Sequence, residues 1–213
     1  MINIIKWLLV ALIVRPIAYI VLGLNIRRRP ILPVAGPAIV AANHNSHLDT
    51  LVLFSLFPLN QIKNIRSVAA ADYFFSNRVL GWFTKHILGA IPVRAGTRLP
   101  REQVLSEVFD ALDKGQIVII YPEGTRGEPE RFSLFRSGIA TLATLRPYVP
   151  VFPVYLYGLG KTLPKGSSVP VPFTCDVLVA PPIRGAIDES TFMHDLQNKM
   201  ENLCSEGHFA AYH

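Results

Sequence analysis

The apolar positions of this chain fall into distinct patterns, and each predicts a different kind of element. Short unbroken runs bounded by polar or turn residues read as buried strands: 38–42, 66–71, 90–94, 116–121, 149–157 and 173–180. Apolar residues three and four apart read as helices. Val104, Leu105, Val108 and Leu112 line one side of 101–113, where Gly115 supplies a stop. Phe192, Leu196, Met200 and Leu203 do the same for 190–205, with Ser190 as N-cap. Helical stretches also cover 47–57, 77–88 and 136–146, and the Pro/Gly/Ser-rich segment 161–172 reads as a loop. Strands alternating with helices predict an α/β fold: a single domain with a mostly parallel or mixed central sheet flanked by helices. Ligands in such folds bind beyond the strand ends.

The amino-terminal run differs. Residues 1–24 are almost entirely apolar, interrupted by Lys6, Arg15 and Pro16, and Arg27, Arg28 and Arg29 follow. A spanning helix wants ~20 uninterrupted apolar residues, and the stretch from Trp7 to Val14 is too short for that. Proline removes a helical hydrogen bond and disfavours helix at the residue before it. The expectation is therefore two short helices, 2–14 and 16–25, seated in the membrane interface or forming a shallow re-entrant pair, with Arg15 snorkelling to headgroups. The competing reading is a helix buried against the domain. A secretory signal is disfavoured, because the arginines follow the apolar run and no small-residue cleavage site is evident. On this reading residues 1–29 form a membrane-associated segment and 30–213 the main domain. The arginine cluster puts that domain on the cytoplasmic face of the inner or plasma membrane.

Composition adjusts this picture. Half of the 213 residues are apolar and only 17% are charged, so apolar surface is expected outside the core. The net charge of +6 suits an anionic bilayer, a phosphorylated ligand or nucleic acid. Nucleic acid is not expected as a partner: there is no zinc-finger spacing and no basic stripe interleaved with aromatics. Cys175 and Cys204 stand far apart without metal-ligand spacing and read as reduced thiols.

The candidate chemistry lies at predicted strand ends. In Asn43–Thr50, His44 and Asp49 are five positions apart. On one regular helix they would diverge by about 140°. They meet if His44 sits in the turn before a helix and Asp49 in its first turn, where the carboxylate can fix the imidazole tautomer and leave the other nitrogen as a base. His47, two residues from Asp49, is the weaker candidate base. Asn43 and Ser46 suit the turn and cap. A second run, Tyr121–Gly127, carries Gly124 for tight backbone geometry and Arg126 as a bidentate fork for phosphate. Arg136 falls at a predicted helix start, where a cation opposes the helix dipole and so hints at a ligand. Arg94 ends the strand at 90–94.

With these blocks in order, the chain resembles the glycerolipid acyltransferase family that includes 1-acyl-glycerol-3-phosphate acyltransferases. Asn43–Asp49 matches its histidine–aspartate motif, and Gly89–Arg94 its arginine-ending block. Tyr121–Gly127 with Phe135–Gly138 matches the glutamate-glycine-threonine-arginine block, and Val149–Val154 the proline-bearing one. Arg136 and Ser137 stand where many members carry two lysines, a departure that bears on headgroup preference. The resemblance implies acyl transfer from acyl-CoA or acyl-carrier protein to a lysophospholipid hydroxyl, giving phosphatidic acid when the acceptor is 1-acyl-glycerol-3-phosphate. His44 would be the base and Asp49 its orienter. Arg94, Arg126 and Arg136 would bind the acceptor phosphate, with Glu123, Gly124 and Thr125 shaping that pocket and Pro153 the channel wall. No metal or cofactor is implied beyond the acyl donor. Rival readings are another lyso-lipid acceptor, such as lysophosphatidylethanolamine or a lyso-ornithine lipid, and a non-catalytic membrane-binding module. A serine hydrolase lacks its G-x-S-x-G elbow here.

Overall fold

The computed structural model describes residues 2–46, 48–71, 78–86, 88–94, 96, 98–127, 131–162 and 174–209. Its strands are β1 (Asn25–Arg27), β2 (Ala38–Ala42), β3 (Ile65–Ala70), β4 (Ile91–Val93), β5 (Ile117–Ile120), β6 (Val151–Tyr157) and β7 (Asp176–Val179). They form one sheet in the order β1-β7-β6-β2-β5-β3-β4. Every pairing is parallel except β6 with β7. The helices are α1 (Ile2–Val21), α2 (Leu48–Leu56), α3 (Arg78–His86), α4 (Arg101–Val104), α5 (Ser106–Asp113), α6 (Gly138–Leu145), the single turn α7 (Leu159–Thr162) and α8 (Glu189–Glu206). The expected α/β architecture with a mixed sheet is the one observed.

Alternation along the strands divides the core into two layers. Ala38, Val40, Ala42, Ile117 and Ile119 pack with Val52, Leu53 and Phe54 of α2 and with Val10 and Ala18 of α1. Ile39, Ala41, Val118 and Ile120 face the other way, against Val108 and Leu112 of α5, Ile139 and Leu142 of α6, and Phe192, Leu196 and Met200 of α8. Buried on both faces, β2 and β5 read as near-continuous apolar runs, as parallel strands do. Because β2, β5, β3 and β4 run parallel, their carboxyl ends emerge along one edge. That edge receives Asn43–Ser46, Tyr121–Gly127 and Arg94.

Several expectations change. The amino-terminal run is one helix through Arg15 and Pro16, not two. π-helical turns cover Val10–Val14 and Ile17–Val21, with Arg15 N–H donating to Val10 O and Leu22 N–H to Ile17 O. These wider turns open the hydrogen-bond ladder around the proline ring, so the helix passes it without breaking. Arg15 does not snorkel: its Nη2 donates to Phe57 O at 2.6 Å. Arg29 donates to Leu56 O through Nε and Nη2, so both arginines complement the carbonyl end of α2. Asn25–Arg27 form the edge strand β1, an element the apolar pattern does not announce. The 101–113 helix is broken at Leu105 into α4 and α5, and the helix expected from Arg136 begins at Gly138. Asp188, not Ser190, caps α8: its side chain accepts the Thr191 N–H, while Ser190 Oγ donates to it. Most of the loop expected at 161–172, and the start of the strand expected at 173, lie outside the described residues.

Candidate active site

The turn after β2 is built by hydrogen bonds to one buried carboxylate. Asp49, in the first turn of α2, is fully buried. Its Oδ2 accepts from His44 Nδ1 at 2.8 Å, Asn45 N–H at 2.7 Å and Ser46 N–H at 2.8 Å. A carboxylate only accepts, so the imidazole proton sits on Nδ1. With Nδ1 committed, Nε2 is left for the cleft that His44 lines. The turn-then-helix arrangement expected from the spacing is the one present. Asn43 fixes the approach: its Nδ2 donates to Leu156 O at 2.8 Å and its Oδ1 accepts the Leu156 N–H at 2.7 Å. The side-chain amide thereby continues the β2–β6 pairing past its last backbone pair, Ala42 with Val154. His47 lies outside the described residues.

The second run braces the first. Glu123 is 2% exposed and does not line the cleft. Its Oε1 accepts the His44 main-chain N–H at 3.0 Å and its Oε2 the Ser133 N–H at 3.1 Å. Gly127 N–H in turn donates to His44 O at 3.1 Å. The carboxylate expected to shape a phosphate pocket is instead turned inward, because a buried carboxylate needs N–H donors and these two supply them. Burial pushes its pKa up, against the opposing effect of those hydrogen bonds. Gly124 has φ +74°, and an added Cβ would sit 2.7 Å from Arg136 Cδ and Nε. Glycine therefore lets the Arg136 side chain lie across the turn, where Nε donates to Glu123 O and the main-chain N–H to Pro122 O.

These residues border a cavity of about 790 Å³, within the ~300–1,000 Å³ usual for ligand sites. His44, Arg94, Thr125, Arg126 and Arg136 all line it, along with Gly124. None of the three arginines is paired with a carboxylate among the described residues. The remaining wall is largely apolar, from Leu51, Val68, Val93, Leu105 and Leu142 among others. A base, three cations and an apolar trough thus share one space. Pro153 is not part of it: it is buried in β6, beside Ala41 of β2. Its carbonyl accepts from Ala180 N–H one step beyond the last β6–β7 pair, Val154 with Val179, so its missing N–H falls where that ladder ends. No group of three or more candidate metal ligands occurs among the described residues.

Residue patterns alone do not single out the aromatic partner of His44. Tyr121 stacks on the imidazole with ring centroids 4.0 Å apart and planes 17° apart, and its hydroxyl bonds Thr50 Oγ1 at 2.8 Å. Burial, and then the charge of Asp49, push its phenol pKa well above the ordinary range. The only signal in the sequence is an aromatic at the end of the clearest buried strand.

Fold and site together define an α/β domain with a mixed, mostly parallel sheet and a histidine–aspartate centre at the carboxyl edge of its parallel strands. The model of the acyltransferase family matches residues 23–157, and the chain belongs to that family. It is 34% identical over 133 residues to a chloroplastic 1-acyl-sn-glycerol-3-phosphate acyltransferase of Arabidopsis thaliana, covering 62% of this chain and 35% of that protein. It is 27% identical over 174 residues to the 1-acyl-sn-glycerol-3-phosphate acyltransferase of Pseudomonas aeruginosa, covering 80% and 63% respectively. The chain therefore spans about a third of the plant relative's length. The crystal structure of PlsC, a 1-acyl-sn-glycerophosphate acyltransferase from Thermotoga maritima, shares the fold, with a TM-score of 0.71 at 21% identity over 89% of this chain and 74% of that one.

Proposed function

We propose that this protein is a membrane-seated O-acyltransferase. It moves a fatty acyl group from acyl-CoA or acyl-carrier protein to the free hydroxyl of 1-acyl-glycerol-3-phosphate, giving phosphatidic acid. The observation that carries the reading is the His44–Asp49 pair, 2.8 Å apart, opening on a cavity lined by arginines that have no carboxylate partner among the described residues, beside an apolar wall. An acceptor with a phosphate and a fatty tail has that same polarity.

In this reading His44 Nε2 takes the acceptor hydroxyl proton as the oxygen attacks the thioester carbonyl. Asp49 holds the ring and offsets the charge of the imidazolium. The tetrahedral adduct collapses, the C–S bond breaks, and the imidazolium returns its proton to the departing thiolate. No acyl-enzyme is required, because the acceptor is the nucleophile. Arg94, Arg126 and Arg136 hold the acceptor phosphate. Glu123 serves the reaction indirectly, by holding the His44 backbone.

Helix α1 supports the membrane part. Ile2–Val21 is long and apolar enough to cross a bilayer by length and composition. It nevertheless lies along the domain, with Lys6, Val10, Val14 and Ala18 buried and Ile4, Leu12, Ile20 and Trp7 exposed. One largely apolar face inward and one outward suit a helix bedded in one interface of the bilayer. Between α1 and α2 lies a smaller apolar cavity of about 110 Å³, and Leu51 lines both it and the main cleft. A route from bilayer to His44 is therefore short. Cys175, fully buried, and Cys204 are not joined in a disulfide, which fits a domain on the cytoplasmic face.

The test is transfer by purified protein in lipid vesicles, pairing lysophosphatidate, lysophosphatidylethanolamine and a lyso-ornithine lipid with both donor types. Diacyl product from lysophosphatidate, abolished in a folded His44→Ala variant, is expected. Near-normal turnover by that variant would remove the base assignment, and preference for an acceptor without a terminal phosphate would remove the arginine clamp.

A further inference from the structure

We propose that Tyr121 is a positioning residue for His44, a stacked ring that holds the imidazole plane and stabilises the imidazolium formed during transfer; this rests on the general-base reading of His44. The geometric need is plain. A hydrogen bond to Asp49 fixes one ring atom, and the imidazole can still pivot about that contact. A second constraint on the ring face removes the pivot. Tyr121 supplies it, stacked at 4.0 Å and 17°. The phenol ring is itself held at its far end by Thr50 Oγ1, 2.8 Å from the hydroxyl. Thr50 follows Asp49 directly in α2, so one helix turn secures both the edge of the imidazole and the support of its face.

The electrostatics agree with this placement. An aromatic face is the negative pole of the ring quadrupole and attracts a cation laid over it. Tyr121 remains a neutral phenol in its buried site beside Asp49, so the ring acts through its face and adds no counter-charge. The titratable groups in contact with His44 among the described residues are Asp49 from α2, Tyr121 just after β5, and Glu123 from the loop beyond it, and Arg94, Arg126 and Arg136 line the same cavity. Asp49 and Glu123 stay in place when only Tyr121 is altered, so a change at His44 then reports the ring.

The experiment compares Tyr121→Phe, Tyr121→Leu and pentafluorophenylalanine in place of Tyr121, all in the full chain. The fluorinated ring keeps the shape of phenylalanine and reverses its quadrupole. Measured are kcat, both KM values, thermal stability, and the His44 titration midpoint by NMR of 15N-histidine-labelled protein, assigned with His44→Gln. The Phe variant should keep kcat within about threefold. The Leu and fluorinated variants should lose about 2- to 30-fold in kcat, the span of a cation–π contact, with both KM values within twofold. Their His44 midpoint should fall by about 0.4–1.5 units. An unchanged midpoint together with unchanged kcat in the fluorinated variant overturns the proposal, even if the Leu variant does not fold. So does a kcat loss that follows thermal stability alone. Should His44→Ala turn over normally, the general-base reading falls by itself, and the NMR midpoint still decides whether the ring acts on His44.

Discussion

Asp49→Asn isolates charge from shape at the centre of the site. The amide can keep its oxygen where Oδ2 stands, accepting from His44 Nδ1, Asn45 N–H and Ser46 N–H. Its NH2 must then occupy the Oδ1 position, which is buried and has no hydrogen-bond partner. An unsatisfied buried donor costs about 1–3 kcal/mol, an upper bound here because the wild-type Oδ1 is already unpaired. For a chain of this length that is a fall in Tm of roughly 2–12 °C. The opposite flip is worse, because it turns the NH2 toward three donors. The fold should therefore survive with modest loss, while catalysis loses the negative charge that offsets the imidazolium. General-base assistance is worth about 10²–10⁴ in rate, so kcat should drop by that factor, about 2.7–5.4 kcal/mol of barrier, with both KM values nearly unchanged. The assay is initial-rate formation of diacyl product in vesicles, beside thermal unfolding of the same preparations. A folded Asp49→Asn enzyme within fivefold of wild-type kcat would refute the reasoning.

Other outcomes follow from single features. Arg126→Ala should raise the acceptor KM about tenfold or more, as loss of a charge-assisted pair would, with kcat little changed; an unaltered KM across acceptors would remove its phosphate role. Deleting α1 would strip Val10 and Ala18 from the core, so membrane contact is better tested by Ile4→Asp, Leu12→Asp and Ile20→Asp together, at positions 64%, 68% and 80% exposed. Vesicle flotation should lose this variant while its circular dichroism is retained, and full flotation would place the contact elsewhere. Asp188→Ala should lower Tm, and Asp188→Asn, which caps as well, should not. The Thr191 N–H and the Ser190 hydroxyl hold the Asp188 pKa down at about 2 from an ordinary 3.8, so its contribution is complete above 3.8 and is lost as pH falls toward 2. The Tm gap between wild type and Asp188→Ala should close over that window.

Much of the sheet is legible in the sequence because its strands are buried on both faces. Ala38–Ala42 and Ile117–Ile120 have no polar residue to confuse the period, and the parallel arrangement follows from the helices between them. The His44–Asp49 meeting is legible because helix geometry leaves a turn as the way to join them. β1 is not: three residues including Asn25 and Arg27 have no apolar period, and they become a strand through main-chain pairing with β7. Pro16 misleads, since the proline rule assumes an α-helical ladder and this ladder widens around the ring. Glu123 misleads for another reason. Its neighbours in the chain suggest a ligand pocket, but its fate is set by N–H groups at positions 44 and 133 that no local pattern connects. Ser190 misleads because the helix starts at Glu189, before the first apolar position of the pattern, so Ser190 lies inside it and Asp188 reaches the Thr191 N–H.

Helix α1 is stapled, not tethered. Lys6 reaches Ile65 O at 2.9 Å, Arg15 reaches Phe57 O, and the chain enters β1 within four residues of the helix end. A hinged anchor would let the body bob and tilt over the lipid like a moored boat. Riveted at both ends, this one makes hull and keel a single piece; on the proposed membrane seating the altitude of His44 above the headgroup plane would be built into the fold, and bilayer thickness or lateral tension would act on turnover by shifting lipids relative to a stationary imidazole.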